Sequence, residues 1–144
     1  MPFLIYKLPA VAYMALIFFT SSGPVDPRLT GGLPDFVLHA AAYLVMYLLV
    51  FRAVHAGFKR RPESGGHLLP LLITVLYGLS DELHQSFVPS RDASVRDLLA
   101  DTAGALIGAA AVSIIFRSCD SDRGETSHPG VGTRKDADGR ADRP

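Results

Sequence analysis

Residues 80–101 read SDELHQSFVPSRDASVRDLLAD, and the setting of this stretch decides the fold. An apolar run at 68–79 leads directly into it, and a second at 102–116 leads directly out. Asp81, Glu82, His84, Gln85 and Arg91, with Asp97 and Asp101 at helical spacing, therefore stand at the mouth of what the flanking runs predict to be membrane helices. Ionisable groups are costly there, so they are expected to be paired, functional, or both.

Working outward and cutting the chain at proline, glycine and charge clusters gives four apolar segments, at about 3–19, 34–54, 67–87 and 94–116. Crossing the hydrocarbon core takes roughly 20 helical residues, and none of the four supplies that many without including polar ones. The first segment also admits a reading as a signal peptide, with small residues after Thr20. A retained helix is favoured, because apolar character begins before Lys7 and three further segments follow.

The 144-residue length predicts one domain. A formal charge of zero conceals a division, because residues 118–144 hold five bases and six acids and hardly any aliphatic side chains. Such a tail cannot bury enough apolar surface to order itself. The expected fold is all-α, a four-transmembrane-helix up-down bundle at 1–117 with a disordered polar cytoplasmic tail at 118–144. The single cysteine, Cys119, has no partner for an internal disulfide and is read as incidental.

Orientation follows from the loops. Arg52, Lys59, Arg60 and Arg61 lie between the second and third segments, and Arg117 and Arg123 follow the fourth, against Arg28 alone after the first. The positive-inside rule then puts both termini and the middle loop in the cytoplasm of a multi-pass protein of the cell membrane. Arg91 and Arg96 fall on the outer side among acids and are expected to belong to the site.

An up-down bundle brings the ends of helices one and three to the same face as the beginnings of helices two and four. Ser21 and Ser22, then Asp35, His39 and Tyr43, then the acids of residues 80–101, all converge there. Asp26, Asp35, Asp81, Glu82, Asp92, Asp97 and Asp101 outnumber Arg28, Arg91 and Arg96 on that face by four, so the mouth is acidic. The opposite face, with Lys7, Arg52, Lys59, Arg60, Arg61 and Arg117 against Glu63, is basic.

Asp35, His39, Tyr43 and Tyr47 recur every four residues and share one helical stripe. His39 and Tyr43 are read either as interhelical hydrogen-bonding groups or, for His39, as a proton carrier or ligand. Tyr77, Asp81 and Gln85 share a second stripe. Acids near a helix C-terminus oppose its dipole, and the Arg91 fork is their expected partner. Ser94 and Asp97 have capping-box spacing. Asp101 lies one turn deeper, where capping cannot explain it, and Gly104 and Gly108 continue its rhythm as a small-residue face for another helix.

His39, His84, Glu82 and Asp101 are reasonable ligand types, but no HExxH or paired-cysteine spacing occurs, so neither a metal nor a cofactor is expected. No glycine-rich phosphate loop or Ser-His-Asp spacing is present. A short basic loop is too little surface for nucleic acid.

The chain resembles the VanZ-like family of small bacterial membrane proteins. The resemblance is carried by Ser21-Ser22 and Pro24, by His39 and Tyr43, and above all by DELHQSFVPSRDASVRDLLADTAGALIG at 81–108, and it covers roughly residues 10–115. Asp101 stands where many members carry asparagine. The resemblance implies a role in the cell envelope, since the namesake is associated with low-level resistance to the glycopeptide teicoplanin. No catalytic mechanism comes with that association.

Together these readings predict a polar ligand-binding pocket at the outer face made by Ser21, His39, Tyr43, Glu82, Gln85, Arg91, Asp97 and Asp101. Its expected partners are membrane lipids and an envelope amphiphile or glycopeptide. The rival is an intramembrane enzyme acting on a lipid-linked envelope precursor, with Glu82 or His39 as base and Arg91 stabilising an anion. Binding is preferred to catalysis.

Overall fold

The computed structural model describes residues 3–23, 31–58, 65–89, 91 and 93–125. Pro24, Asp26, Arg28, Lys59, Arg60, Arg61, Glu63, Asp92 and residues 126–144 lie outside the described residues, and with them most of the expected tail. Among the described residues all regular structure is helical. A π-helical turn at Phe3–Lys7 runs into α1 (Leu8–Ser21), followed by α2 (Asp35–Val54), α3 (Leu68–Gln85) and α4 (Val95–Glu125). The boundary expected at 117/118 therefore falls inside α4.

Local chemistry sets the helix ends. Pro9 is the second residue of α1, directly after the π-helical turn. Extended Pro34 (ψ 144°) precedes α2, whose first residue, Asp35, suits the positive end of the helix dipole. Beyond Val54 the backbone turns left-handed at Ala56 (φ 50°) and Gly57 (φ 114°), and the Gly57 N–H closes on the Arg52 carbonyl at 2.9 Å. At the start of α4, Ser94 Oγ accepts the Arg96 N–H at 3.1 Å.

Leu4–Ser21, Asp35–Val54 and Val95–Ser118 are long and apolar enough to cross a membrane. The third segment is not among them, because α3 carries Asp81, Glu82, His84 and Gln85 near its C-terminus.

α2 is the centre of the packing, and its most extensive partner is α4. An up-down ring would set these two helices on a diagonal. Glycine brings them together instead, since a Cβ on Gly104 would lie 2.1 Å from the Ala40 carbonyl oxygen and one on Gly108 2.8 Å from Tyr47 Cδ1. The small-residue face predicted on α4 thus meets α2. Contacts advance together along this pair, from His39 with Asp101 to Phe51 with Phe116, so α2 and α4 run parallel. Against α3 the order reverses, with Glu82 at Ser94 and His67 at Ser113, so α3 and α4 are antiparallel.

Two clusters form the core. Ile17, Tyr43, Met46 and Val50 join α1 to α2, and Tyr47, Phe51, Ala105 and Val112 join α2 to α4. The outer surface is apolar: Phe19, Leu76, Leu83, Leu99 and Ile114 are each more than half exposed. Buried carboxylates inside an apolar exterior invert the pattern of a water-soluble domain and suit a bilayer.

Candidate functional site

The end of α3 organises the polar mouth. Asp81 is buried with both oxygens engaged, Oδ1 by Ser21 Oγ at 2.5 Å and Oδ2 by Gln85 Nε2 at 3.1 Å. The second bond needs only four-residue spacing along one helix. The first needs α1 to end beside α3, and the Tyr77 hydroxyl helps hold it there by donating to the Met14 carbonyl at 2.6 Å.

Glu82, one residue on, faces a different helix. Its Oε2 accepts the backbone N–H of Ser94 at 2.9 Å. In a capping box that N–H belongs to the side chain three residues into the helix. The predicted Ser94–Asp97 box is therefore corrected, because a carboxylate from α3 closes the start of α4. Asp97 is buried in the first turn of α4.

Asp101 is almost fully buried, and its Oδ1 meets His39 Nδ1 at 2.9 Å. The same nitrogen lies 3.8 Å from Glu82 Oε1. Gly78 leaves the space this carboxylate needs, since a Cβ there would stand 3.0 Å from Asp101 Oδ2 and 3.1 Å from Tyr43 Cε1. His39, Tyr43, Glu82 and Asp101 thus form one buried cluster at the junction of α2, α3 and α4.

Arg91 departs from the sequence reading. The sequence predicts a fork onto the α3 carboxylates. Its Nε instead donates to the Gly23 carbonyl at 2.9 Å and its Nη2 to the Thr20 carbonyl at 3.1 Å, while Nη1 lies 3.7 Å from Asp35. The last carbonyls of a helix lack intrahelical donors and carry partial negative charge. A cation that closes the end of α1 satisfies both conditions, whereas Asp81 already has neutral donors. Arg96, also expected in the site, lies over the Phe36 ring at 4.3 Å.

A cavity of about 200 Å³ opens between α1, α2 and α3. Ser21, His39, Tyr43, Gln85 and Arg91 of the predicted set line it, joined by Asp35 and Asp81, with Ile17, Leu38 and Ala42 as an apolar wall. Glu82, Asp97 and Asp101 are not part of the lining; Glu82 and Asp101 sit behind His39. Asp81 was the missed centre of this arrangement. Its four-residue step to Gln85 was the available signal, but only the fold supplies Ser21.

His84 stands apart, with Nε2 3.0 Å from Ser22 Oγ and its ring stacked on Phe18 at 4.4 Å. A second polar group that sequence reasoning passed over closes the other end. His67, just before α3, has Nδ1 2.5 Å from the Tyr47 hydroxyl and Nε2 3.2 Å from Ser113 Oγ. Ser113 spends its proton on the Ala109 carbonyl, so the network assigns the His67 proton to Nε2 and leaves Nδ1 to accept from Tyr47. Burial, and then neighbouring His55, push the His67 pKa below its ordinary value.

No curated protein and no solved structure is a match to the chain. The family model described as VanZ/LLP1 matches residues 6–117, which contain all four helices up to the exit of α4 from its apolar stretch. With three apolar helices of spanning length, that match marks a membrane protein, and the chain belongs to the VanZ/LLP1 family.

Proposed function

We propose that the chain is a multi-pass protein of the cell membrane that holds the polar head of an amphiphilic envelope molecule in the cavity between α1, α2 and α3. In this reading α3 is a fourth span of an up-down bundle. Its 18 residues reach about 27 Å, close to the hydrocarbon thickness. Basic residues Arg52, Lys59, Arg60 and Arg61 keep the middle loop and both termini cytoplasmic, with the polar mouth at the outer face.

The observation that carries this reading is the two-sided lining of the cavity, polar through Asp35, His39, Asp81, Gln85 and Arg91 and apolar through Ile17, Leu38 and Ala42. Acids beside an arginine suit a zwitterionic head, its ammonium toward Asp35 and Asp81 and its phosphate toward Arg91. At about 200 Å³ the cavity is smaller than sites for whole drug-sized ligands, so a glycopeptide would place only a substituent in it. The test is deletion and complementation, scored on a glycopeptide and lipopeptide susceptibility panel, with native mass spectrometry of lipid retained by the purified chain. Gln85→Leu is expected to lose both lipid and complementation. A folded Gln85→Leu chain that matched wild type in both would sink the reading.

A second reading, catalysis on a lipid-linked envelope precursor, is favoured by one observation. His39 lines the cavity while Asp101 engages its Nδ1 at 2.9 Å, an arrangement that orients an imidazole as a general base. Glu82 remains the alternative base of this reading, and Arg91 its anion stabiliser. Turnover of such a precursor by purified protein, lost in His39→Ala, would replace the binding reading.

A further inference from the structure

Glu82 Oε1, Asp101 Oδ2 and the Tyr43 hydroxyl are buried oxygens without a hydrogen-bond partner among the described residues. Their residues are 7%, 1% and 1% exposed, and all belong to the cluster around His39. Asp81, one residue before Glu82, has both oxygens satisfied by neutral donors, so orphaned oxygens are not general to this mouth. The two carboxylate oxygens, together in one buried cluster, call for an electropositive partner.

We propose that His39, Glu82 and Asp101 bind a divalent cation of the zinc or manganese class, with the Tyr43 hydroxyl at its edge. His39 Nδ1 and one oxygen from each carboxylate all lie within 4.8 Å of one another. Two ligands of a tetrahedral ion bonded at about 2.0–2.1 Å are separated by about 3.3 Å. The His39 Nδ1 distances of 2.9 Å to Asp101 and 3.8 Å to Glu82 straddle that value, so small side-chain shifts close the site. One nitrogen and hard carboxylate oxygens suit these ions better than soft ones.

Charge supports the same assignment. Two carboxylates, a neutral imidazole and a 2+ ion sum to zero, which is the balance a buried site requires. Among the described residues His39 is the base in ion-pair contact with Glu82 and Asp101, and it can neutralise only one of them. The ion takes the place of the proton on Nδ1. A second trio, Asp35, His39 and Asp97, shares His39, but its Asp35 is exposed. None of this depends on what fills the neighbouring cavity, so the metal reading and the headgroup reading fail separately.

The test uses full-length, untagged protein purified in detergent without chelator. Elemental analysis is expected to find about one zinc or manganese ion per chain, falling to background in Asp101→Asn and retained in Asp35→Ala. After chelation, adding zinc chloride or manganese chloride should raise the wild-type Tm. A folded wild-type chain that contains neither metal and shows no Tm change with either chloride overturns the proposal. So does an ion that survives both Asp101→Asn and Glu82→Gln, or one lost in Asp35→Ala but kept in Asp101→Asn. The wild-type measurements stand even where a variant fails to fold.

Discussion

Ser21 Oγ donates a 2.5 Å hydrogen bond to Asp81 Oδ1, joining the last residue of α1 to the polar end of α3 inside the buried mouth. The two residues are sixty positions apart in sequence. α1 makes only light contact with α3, so this bond carries more of its placement than a single bond would in a fully packed bundle.

Ser21→Ala leaves a buried carboxylate short of a donor and should cost about 1–3 kcal/mol. Asp81→Asn should cost as much alone. Unfolding in detergent is expected to show the double variant less destabilised than the two single variants added together. Additive losses would mean that the two side chains act separately.

Gly104 sets the α2–α4 spacing. A Cβ at 2.1 Å from the Ala40 carbonyl oxygen cannot be accommodated by a rotamer change, because the obstacle is backbone. Gly104→Ala should therefore cost about 3 kcal/mol or more, at or beyond the upper end for overpacking. Gly23→Ala, with nothing within 4 Å, should leave the Tm nearly unchanged. Equal melting of the two variants would argue against so close an approach.

Arg91 closes α1 through two carbonyls, and its Asp35 contact is longer, to an acid whose side chain is 53% exposed. Lysine keeps the charge but cannot place two donors in a fixed fork. Arg91→Lys is expected to lose about 1–3 kcal/mol, and Asp35→Ala at most about 1 kcal/mol. Detergent melts of the two variants decide the order, and the reverse ranking would return Arg91 to an ion-pair role.

His67 gives the far end a pH dependence. Its folded pKa lies below the ordinary 6.5, so the unfolded chain binds the proton more readily. The stability it contributes is complete above about pH 6.5 and is lost as the pH falls toward the depressed folded value. Tm should decline in this acidic range, and His67→Gln should flatten part of that slope. An unchanged slope would show that other groups cause the decline.

Much of this was legible in residues 80–101 and the apolar runs around them. Helical periodicity is local, so the four helices and the stripes Asp35–His39–Tyr43 and Tyr77–Asp81–Gln85 follow from spacing alone. The approach face at Gly104 and Gly108 was readable for the same reason, since removing side chains every four residues leaves one smooth surface. Partner choice was not readable. Asp97 had the spacing to cap α4, yet Glu82 reaches the Ser94 N–H from another helix. Arg91 had acids near it in sequence, yet the unpaired carbonyls of Thr20 and Gly23 claim it.

The sequence by itself determined an all-helical chain with an apolar exterior and an acidic mouth, because those properties depend on composition and on a 3.6-residue period. Tertiary structure decided which carboxylate each donor satisfies. It gave Asp81 to Ser21 and Gln85, placed His39 between Glu82 and Asp101, and left oxygens on those two acids without a donor among the described residues. Hydrogen bonds act over about 3 Å, and only the approach of α1, α2 and α4 to the end of α3 fixes distances on that scale.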